Sequence, residues 1–164
     1  MIILRALPLV LLAALAGCAG FGSVTPGTPE QQVRAKLGAP NDVWKNSYGS
    51  EVWEYREGPV GFNTYMVRLG SDHAVRQVDQ VLQDAFFSKL TPGMSRDQVH
   101  RLLGKPKEVR HYGGLHEEVW SWRYREASHF YWFFNAHFDE ASGKLLRVSR
   151  IEDPYYSDRG DSPR

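Results

Sequence analysis

Two stretches of the chain alternate between apolar and polar side chains, except for one Val-Trp pair near the start of each. They are Glu51–Arg56 and Glu118–Arg123, and they are similar to each other in sequence. In each stretch the aromatic residues fall on one face: Trp53 with Tyr55, and Trp120 with Trp122. A period of two is typical of a β-strand with one buried face. The sequence therefore predicts two related strands with aromatic residues in the core.

Each of these strands is followed by two more strand-like runs. The runs are rich in β-branched and aromatic residues and are separated by polar turns, at 65–69 and 75–81 in the first copy and at 130–138 and 145–151 in the second. Such a pattern favours a three-stranded antiparallel meander in each copy.

A helix is predicted before each meander. The segments 27–40 and 93–106 align without a gap, and each ends in Gly-x-Pro. Thr28 and Ser95 are each followed three positions later by glutamine, the pattern of a capping box. A glycine followed by proline two residues later is typical of a helix C-terminus. The prediction is an internal duplication, with one short helix in each copy.

The duplication defines the expected domain organisation. We expect a signal peptide at 1–17, a tether at 18–26, a first repeat at 27–81, an inter-repeat segment at 82–92, a second repeat at 93–152 and a disordered tail at 153–164. Phe86 and Phe87 make the inter-repeat segment too apolar for a flexible linker, so we expect it to pack against the sheets.

The N-terminus has the pattern of a bacterial lipoprotein signal. A short apolar stretch after Arg5 is too brief to span a bilayer and ends in Leu-Ala-Gly before Cys18. This ending resembles a lipobox, which implies lipidation of Cys18, the single cysteine of the chain. The alternative is an ordinary secretory signal with Cys18 as an unused thiol. By resemblance to the sorting rule of enterobacterial lipoproteins, Ala19 favours the outer membrane, with the protein facing the periplasm.

Charge argues against a nucleic-acid partner. Removal of residues 1–17 takes away one basic residue and leaves 19 basic against 19 acidic side chains. Without a basic run, the chain lacks the concentrated positive field that binding to nucleic acid requires.

Several of these motifs together resemble the SmpA/OmlA family of outer-membrane lipoproteins. The motifs are Gly-Met-Ser-x-x-Gln-Val-x-x-x-Leu-Gly-x-Pro at 93–106, the tryptophan-rich strand at 119–124 and the final hairpin. The resemblance implies an α+β fold of two tandem BamE-like units, each a short helical segment packed on a three-stranded antiparallel sheet. It also implies a protein-binding scaffold in outer-membrane beta-barrel assembly or envelope integrity. The family's assembly subunit resembles one copy of this unit, whereas this chain has two.

A tandem pair of such units also resembles the architecture of secreted beta-lactamase inhibitor proteins, which grip an enzyme with an aromatic-rich sheet. Those inhibitors are braced by disulfides, which a chain with one cysteine lacks. Two alternative functions follow: an inhibitor of this kind, or a module that binds a ligand between the repeats. Neither resemblance implies catalytic residues, and no nucleophile motif or phosphate loop is present, so we predict no enzyme activity and no cofactor.

The candidate partner surface lies on the second repeat. His129, Tyr131, Phe133, Asn135 and His137 share one face of a predicted strand, opposite a set that includes Phe134 and Phe138. If the opposite set is core, the first set forms an outer, partly apolar face, and an exposed apolar patch is typical of a binding site. Alternatively, Tyr131 and Phe133 lie beneath the inter-repeat segment or against the other repeat. The spacings of His129 with His137 and of His111 with His116 do not match familiar metal sites, so no metal site is predicted.

Overall fold

The protein is described by a computed structural model for residues 20–58, 61–126 and 130–154. Its α-helices are α1 (Glu30–Leu37), α2 (Asp84–Phe87) and α3 (Arg96–Leu103). Its strands are β1 (Asp42–Lys45), β2 (Glu51–Arg56), β3 (Thr64–Leu69), β4 (Val75–Gln80), β5 (Glu108–Tyr112), β6 (Glu117–Arg125), β7 (Tyr131–Asp139) and β8 (Leu145–Glu152). Single turns of 3₁₀-helix lie at Phe21–Ser23 and Gly113–Leu115. None of the described helices is long and apolar enough to cross a membrane.

The strands form two antiparallel sheets of four strands each, with the strands in chain order. The first sheet is β1-β2-β3-β4 and the second is β5-β6-β7-β8. The predicted fold class, two BamE-like units with a helical segment on a three-stranded sheet, is therefore wrong. The sheets are larger than expected, and they account for most of the regular structure that is described.

The strands that the sequence pattern missed are the first strand of each sheet. β1 and β5 each pair along one side only, with β2 and β6. Most side chains of β5 are exposed on both faces, so its sequence carries no alternation of apolar and polar positions. An edge strand of this kind is fixed by main-chain pairing with its neighbour, which a pattern of side chains does not reveal.

One face of the first sheet packs on α1. Val33 of α1 is fully buried in a cluster with Trp53, Tyr55, Val67 and Leu69 of the first sheet. We call this the α1 face. Val33, Trp53 and Val67 have no exposed surface, so the predicted aromatic face of β2 is confirmed as core.

The other face of the first sheet packs on α2, in the inter-repeat segment, and on α3 of the second unit. Met66 of β3 belongs to the same cluster as Phe87 of α2, Leu103 of α3 and Phe134 of the second sheet. α2 and α3 therefore lie between the two sheets. We call the face of the first sheet that contacts them the α3 face.

The two predicted capping boxes have different outcomes. At α3, the Ser95 hydroxyl accepts from the Gln98 N–H and the Gln98 side chain accepts from the Ser95 N–H, as predicted. At α1 the helix begins after Pro29, and the Thr28 hydroxyl accepts from the N–H of Thr25 instead. The Thr28 hydroxyl is bonded within the turn before α1, so the prediction of a first capping box is wrong.

Segments outside the repeats also pack on the sheets. Phe86 and Phe87 form α2 and are buried, in agreement with the prediction for 82–92. Within the predicted tether, Phe21 stacks on Tyr65 with ring centroids 3.7 Å apart, and Val24 is buried. Residues 1–19 and 155–164, with the signal peptide, Cys18 and most of the predicted tail, lie outside the described residues.

Candidate functional site

The second sheet places a set of polar and apolar side chains on the face opposite its core. The strand registers bring together Val119, Ser121, Phe133, Asn135, His137, Arg147, Ser149 and Ile151. We call this the outer face. The opposite face packs on α2 and α3 through residues that include Trp122, Phe134 and Phe138.

The predicted partner-surface residues lie together on the outer face as far as they are described. Phe133 and Asn135 are only 4% and 6% exposed, and Tyr131 and His137 are partly buried. The expectation of an exposed patch is therefore wrong for Phe133. The expected covering by the inter-repeat segment is also wrong, because Phe87 stacks on Phe134, on the other side of the sheet. The other alternative, contact with the first repeat, is found for Tyr131, whose ring centroid lies 4.7 Å from that of Phe62. His129 lies outside the described residues.

A continuous polar network occupies one end of the outer face. The Nδ1 of His137 lies 2.9 Å from a carboxylate oxygen of Glu117, and its Nε2 lies 2.8 Å from the Ser149 hydroxyl. Arg147 donates to both oxygens of Glu117, at 2.8 and 3.1 Å. The Asn135 amide donates to Ser149 at 3.4 Å. An imidazole that donates from Nδ1 and accepts at Nε2 satisfies every group in this row.

This network fixes the charge of Glu117. The hydrogen bond from His137, followed by that from Arg147, holds the pKa of the Glu117 carboxyl below its usual range, although burial acts in the opposite direction. Glu117 is therefore an ionised acceptor, and the charges at this end are paired. A partner would meet fixed hydrogen-bonding groups there.

The middle of the outer face is indented and more apolar. A cavity of about 320 Å³ is lined by residues that include Leu115, Val119, Phe133 and Ile151. Leu115 and Ile151 are 64% and 51% exposed, whereas Val119 and Phe133 form the floor. A depression with an apolar floor and polar groups at one end is the usual form of a recognition site.

Sequence reasoning found one strand of this face and missed the others. Glu117, Arg147 and Ser149 come from β6 and β8 and reach the network through pairing with β7. For the residues of β8, the sequence shows only that Arg147, Ser149 and Ile151 occupy every second position and so share a face. Alternation identifies a shared face within one strand, but register decides which residues of neighbouring strands meet.

A larger cavity, of about 500 Å³, lies between the two units. Four of its lining residues are basic: Arg56, Lys105, Lys107 and Arg123. Arg56 pairs with Glu54 at 3.2 Å and Arg123 with Asp153 at 2.7 Å. Because two of these cations already have carboxylate partners, the groove offers less free charge to an anion than its composition suggests.

The histidines considered for metal binding do not converge. His111 lies 3.1 Å from Glu140, and His137 belongs to the network described above. Within the described residues, ligand-type atoms instead meet at Asp42, Glu54 and His100, where they all lie within 4.8 Å of one another. That cluster lies on the α3 face of the first sheet.

Comparisons with known proteins give only distant structural neighbours. No protein-family model and no curated protein sequence matches the chain. A candidate beta-lactamase inhibitor protein from Streptococcus mutans matches 77% of this chain and 84% of its own length, with 15% identity and a TM-score of 0.32. An extracellular protein containing an SCP domain, from Bacillus anthracis, matches 93% of the chain with 13% identity and a TM-score of 0.32. The chain spans half the length of that protein.

Proposed function

We propose that the chain is a protein-binding module that is held to a membrane by lipid on Cys18 and receives a helical segment of a partner protein on the outer face. The observation that carries the proposal is the equivalence between the outer face and the α3 face. The outer face belongs to the second sheet and the α3 face to the first. The α3 face binds a helix within the molecule.

The strand registers establish this equivalence. Glu54 of β2 pairs with Met66 of β3, and Ser121 of β6 pairs with Asn135 of β7, at the same place in each sheet. Glu54 and Met66 lie on the α3 face, and Ser121 and Asn135 lie on the outer face. The duplicated unit therefore presents the equivalent face of its sheet twice, with different side chains in the two copies.

The α3 face shows how such a surface holds a helix. The Glu54 carboxylate accepts from the N–H of Lys105 at 3.1 Å, just beyond the end of α3. A side chain on Gly104 would place its Cβ 2.8 Å from the Thr64 methyl group. The main chain at the end of α3 thus contacts side chains of the first sheet closely. In the described part of the chain, all three α-helices pack elsewhere than on the outer face.

The lining of the outer face suits a protein partner. Leu115 and Ile151 offer apolar contact above a floor that includes Phe133, and the network of Glu117 with Arg147 supplies orientation. Apolar contact in a depression with a polar margin is typical of protein interfaces. Lipid on Cys18 would raise the local concentration of the module at the periplasmic side of the outer membrane.

A protein-binding module of this kind could have either of two more specific roles. Inhibition of an enzyme has better support than a scaffold in outer-membrane assembly. The assembly role depended on the resemblance to the SmpA/OmlA family, and the helix-on-three-strand unit that this resemblance implied is not the fold observed. Inhibition requires only a shaped surface that covers or grips another protein, and we propose the outer face as that surface.

Site-specific photo-crosslinking in the bacterium tests the proposal. A photoreactive residue at Leu115 or Ile151 is expected to capture the same partner, and Ile151→Glu is expected to abolish capture from Leu115. The matched control is Val148, which lies on the same strand, is 42% exposed and pairs with the core residue Ala136. Equal capture from Val148, or capture unaffected by Ile151→Glu, would contradict the proposal.

The identity of the partner separates the finer roles. A soluble enzyme that loses activity when the purified chain is added supports inhibition, and a barrel-assembly subunit supports the scaffold role. Cys18→Ser is expected to reduce the capture yield in either case. If capture does not depend on Cys18, the lipid anchor is wrong while the binding face stands.

A further inference from the structure

We propose that Asp42, Glu54 and His100 form a zinc site that fastens the two units together. Asp42 and Glu54 belong to the first sheet, and His100 belongs to α3 of the second unit. The Nε2 of His100 lies 3.5 Å from Glu54 Oε2 and 3.9 Å from Asp42 Oδ2.

The buried atoms of the cluster point to a ligand. Glu54 has no exposed surface and His100 is 24% exposed. Neither Glu54 Oε2 nor His100 Nε2 has a hydrogen-bond partner, although both atoms are buried. A buried carboxylate oxygen without a hydrogen bond is costly, and a cation between it and the imidazole nitrogen would remove that cost.

The remaining polar atoms hold the ligand atoms in place. Glu54 Oε1 accepts from the Lys105 N–H at 3.1 Å, and Asp42 Oδ1 accepts from the Val43 N–H at 2.8 Å. Each carboxylate is thus anchored through one oxygen and keeps the other for the cluster. The edges of Trp44 and Trp120, one from each sheet, meet the His100 ring and fix its orientation.

The strand register supplies an independent reason for a cation. Asp42 and Glu54 are direct partners on the neighbouring strands β1 and β2. Like charges directly opposite each other destabilise a sheet. Arg56 offsets part of this repulsion through Glu54 Oε1, at 3.2 Å, but it does not reach Oε2 with a hydrogen bond.

The donor set and its spacing suit Zn²⁺. Imidazole nitrogen and carboxylate oxygens bind zinc at about 2.0–2.2 Å, which places tetrahedral ligand atoms roughly 3.4 Å apart. The distance between His100 and Glu54 already meets this spacing, and the half-exposed Asp42 side chain can move inward. The same opening is lined by Lys105 and Lys107, and with Arg56 these cations limit the affinity for a metal ion.

Titration of the tag-free full chain with ZnCl₂ and CoCl₂ tests the site. Zn²⁺ is expected to raise the Tm, and Co²⁺ is expected to give the visible absorption of a tetrahedral site. Asp42→Asn and His100→Gln should each weaken zinc binding at least tenfold, because even the loss of groups that only orient zinc ligands costs about 10–100-fold. Asp42 is half exposed, so its variant should fold, and its Tm in EDTA provides the check.

The matched control is His111→Gln, since His111 also lies beside a carboxylate, that of Glu140, but far more exposed. It should retain the full response to zinc. The proposal is overturned if wild-type protein shows neither a Tm shift nor a cobalt spectrum. It is equally overturned if Asp42→Asn and His100→Gln respond as strongly as wild type, because the ion would then be bound elsewhere.

Discussion

At the scale of single residues, Gly104 is tightly constrained, and it lies where the second unit meets the first. Its φ of +79° is one that L side chains rarely adopt, and its carbonyl accepts from the Trp122 indole at 3.0 Å. Gly38 at the end of α1 has nearly the same φ, +80°, and its carbonyl accepts from the Tyr55 hydroxyl at 3.2 Å. The duplicated units thus share a helix ending, but only Gly104 lies against another sheet.

This difference predicts unequal costs for two identical substitutions. Gly38→Ala should cost about 1–3 kcal/mol, because its Cβ meets nothing within 4 Å and only the backbone is strained. Gly104→Ala should cost roughly 1–3 kcal/mol more, since its Cβ would also lie 3.0 Å from the buried Glu54 carboxyl carbon. Urea denaturation of both variants measures the difference. Equal losses of stability in the two variants would show that the first sheet shifts to make room for the methyl group at position 104.

Glu117 gives a prediction about pH. Its pKa is lowered in the folded protein, chiefly by the hydrogen bond from His137, so its contribution to stability is present above the usual value of about 4.5 and is lost as the pH falls through the folded value. Wild type should therefore lose more stability between pH 7 and pH 3 than Glu117→Gln, as measured by urea midpoints. The exposed Glu152→Gln is the control and should follow wild type. A Glu117→Gln profile parallel to wild type would contradict the assignment.

At the scale of elements, α3 depends on its N-terminal cap and α1 does not. Both helices have eight residues, but only α3 has a capping box. Both helices begin at an isolated β-bridge, Pro29 with Ala74 and Ser95 with Lys144. At α1 the Glu30 N–H donates to the His73 carbonyl at 2.9 Å, and no side chain caps the helix. The two helices thus share the bridge but differ in the contacts of the first turn.

Ser95→Ala should therefore destabilise the protein by about 1 kcal/mol, the usual cost of losing an N-cap. Ser95→Thr keeps the hydroxyl and should restore most of the stability. Thermal unfolding followed by circular dichroism measures both variants. If Thr at this position is as destabilising as Ala, the loss comes from packing of the first turn and not from the cap.

At the scale of the whole molecule, the two repeats share one core. Met66 of the first sheet and Phe134 of the second belong to a single buried cluster that also contains Phe87. The rings of Phe87 and Phe134 stack with centroids 4.0 Å apart. Because α2 and α3 lie between the sheets, the units should unfold together.

Phe87→Ala should destabilise both units at once, by about 3–5 kcal/mol, through loss of buried area and a residual cavity. One unfolding transition is expected, with the same midpoint by tryptophan fluorescence and by circular dichroism. Phe130→Ala is the matched control, since Phe130 is 61% exposed, and should change stability by less than about 0.5 kcal/mol. Two separate transitions in the Phe87 variant would show that the units fold independently.

The candidate sites show what one sequence pattern can and cannot reveal. Alternation in β7 identified Tyr131, Phe133, Asn135 and His137 as one face. The alternation did not show whether that face is exposed. Phe133 is in fact shielded within the sheet, where the Arg123 guanidinium lies 5.2 Å from its ring. The cluster of Asp42 with Glu54 and His100 was out of reach, since its members are separated along the chain and meet through an edge strand that has no clear pattern.

The sequence by itself determined the duplication, three of the four strands of each sheet, the positions of α1 and α3 and the aromatic core face, because periodicity and capping residues act over a few neighbouring positions. Tertiary structure alone decided the first strand of each sheet, the packing of α2 and α3 on the first sheet, and which side chains meet across strands. These depend on main-chain pairing and on contacts between distant segments. A helix with one apolar stripe must pack on a sheet, but its sequence does not specify that a second sheet covers its other side.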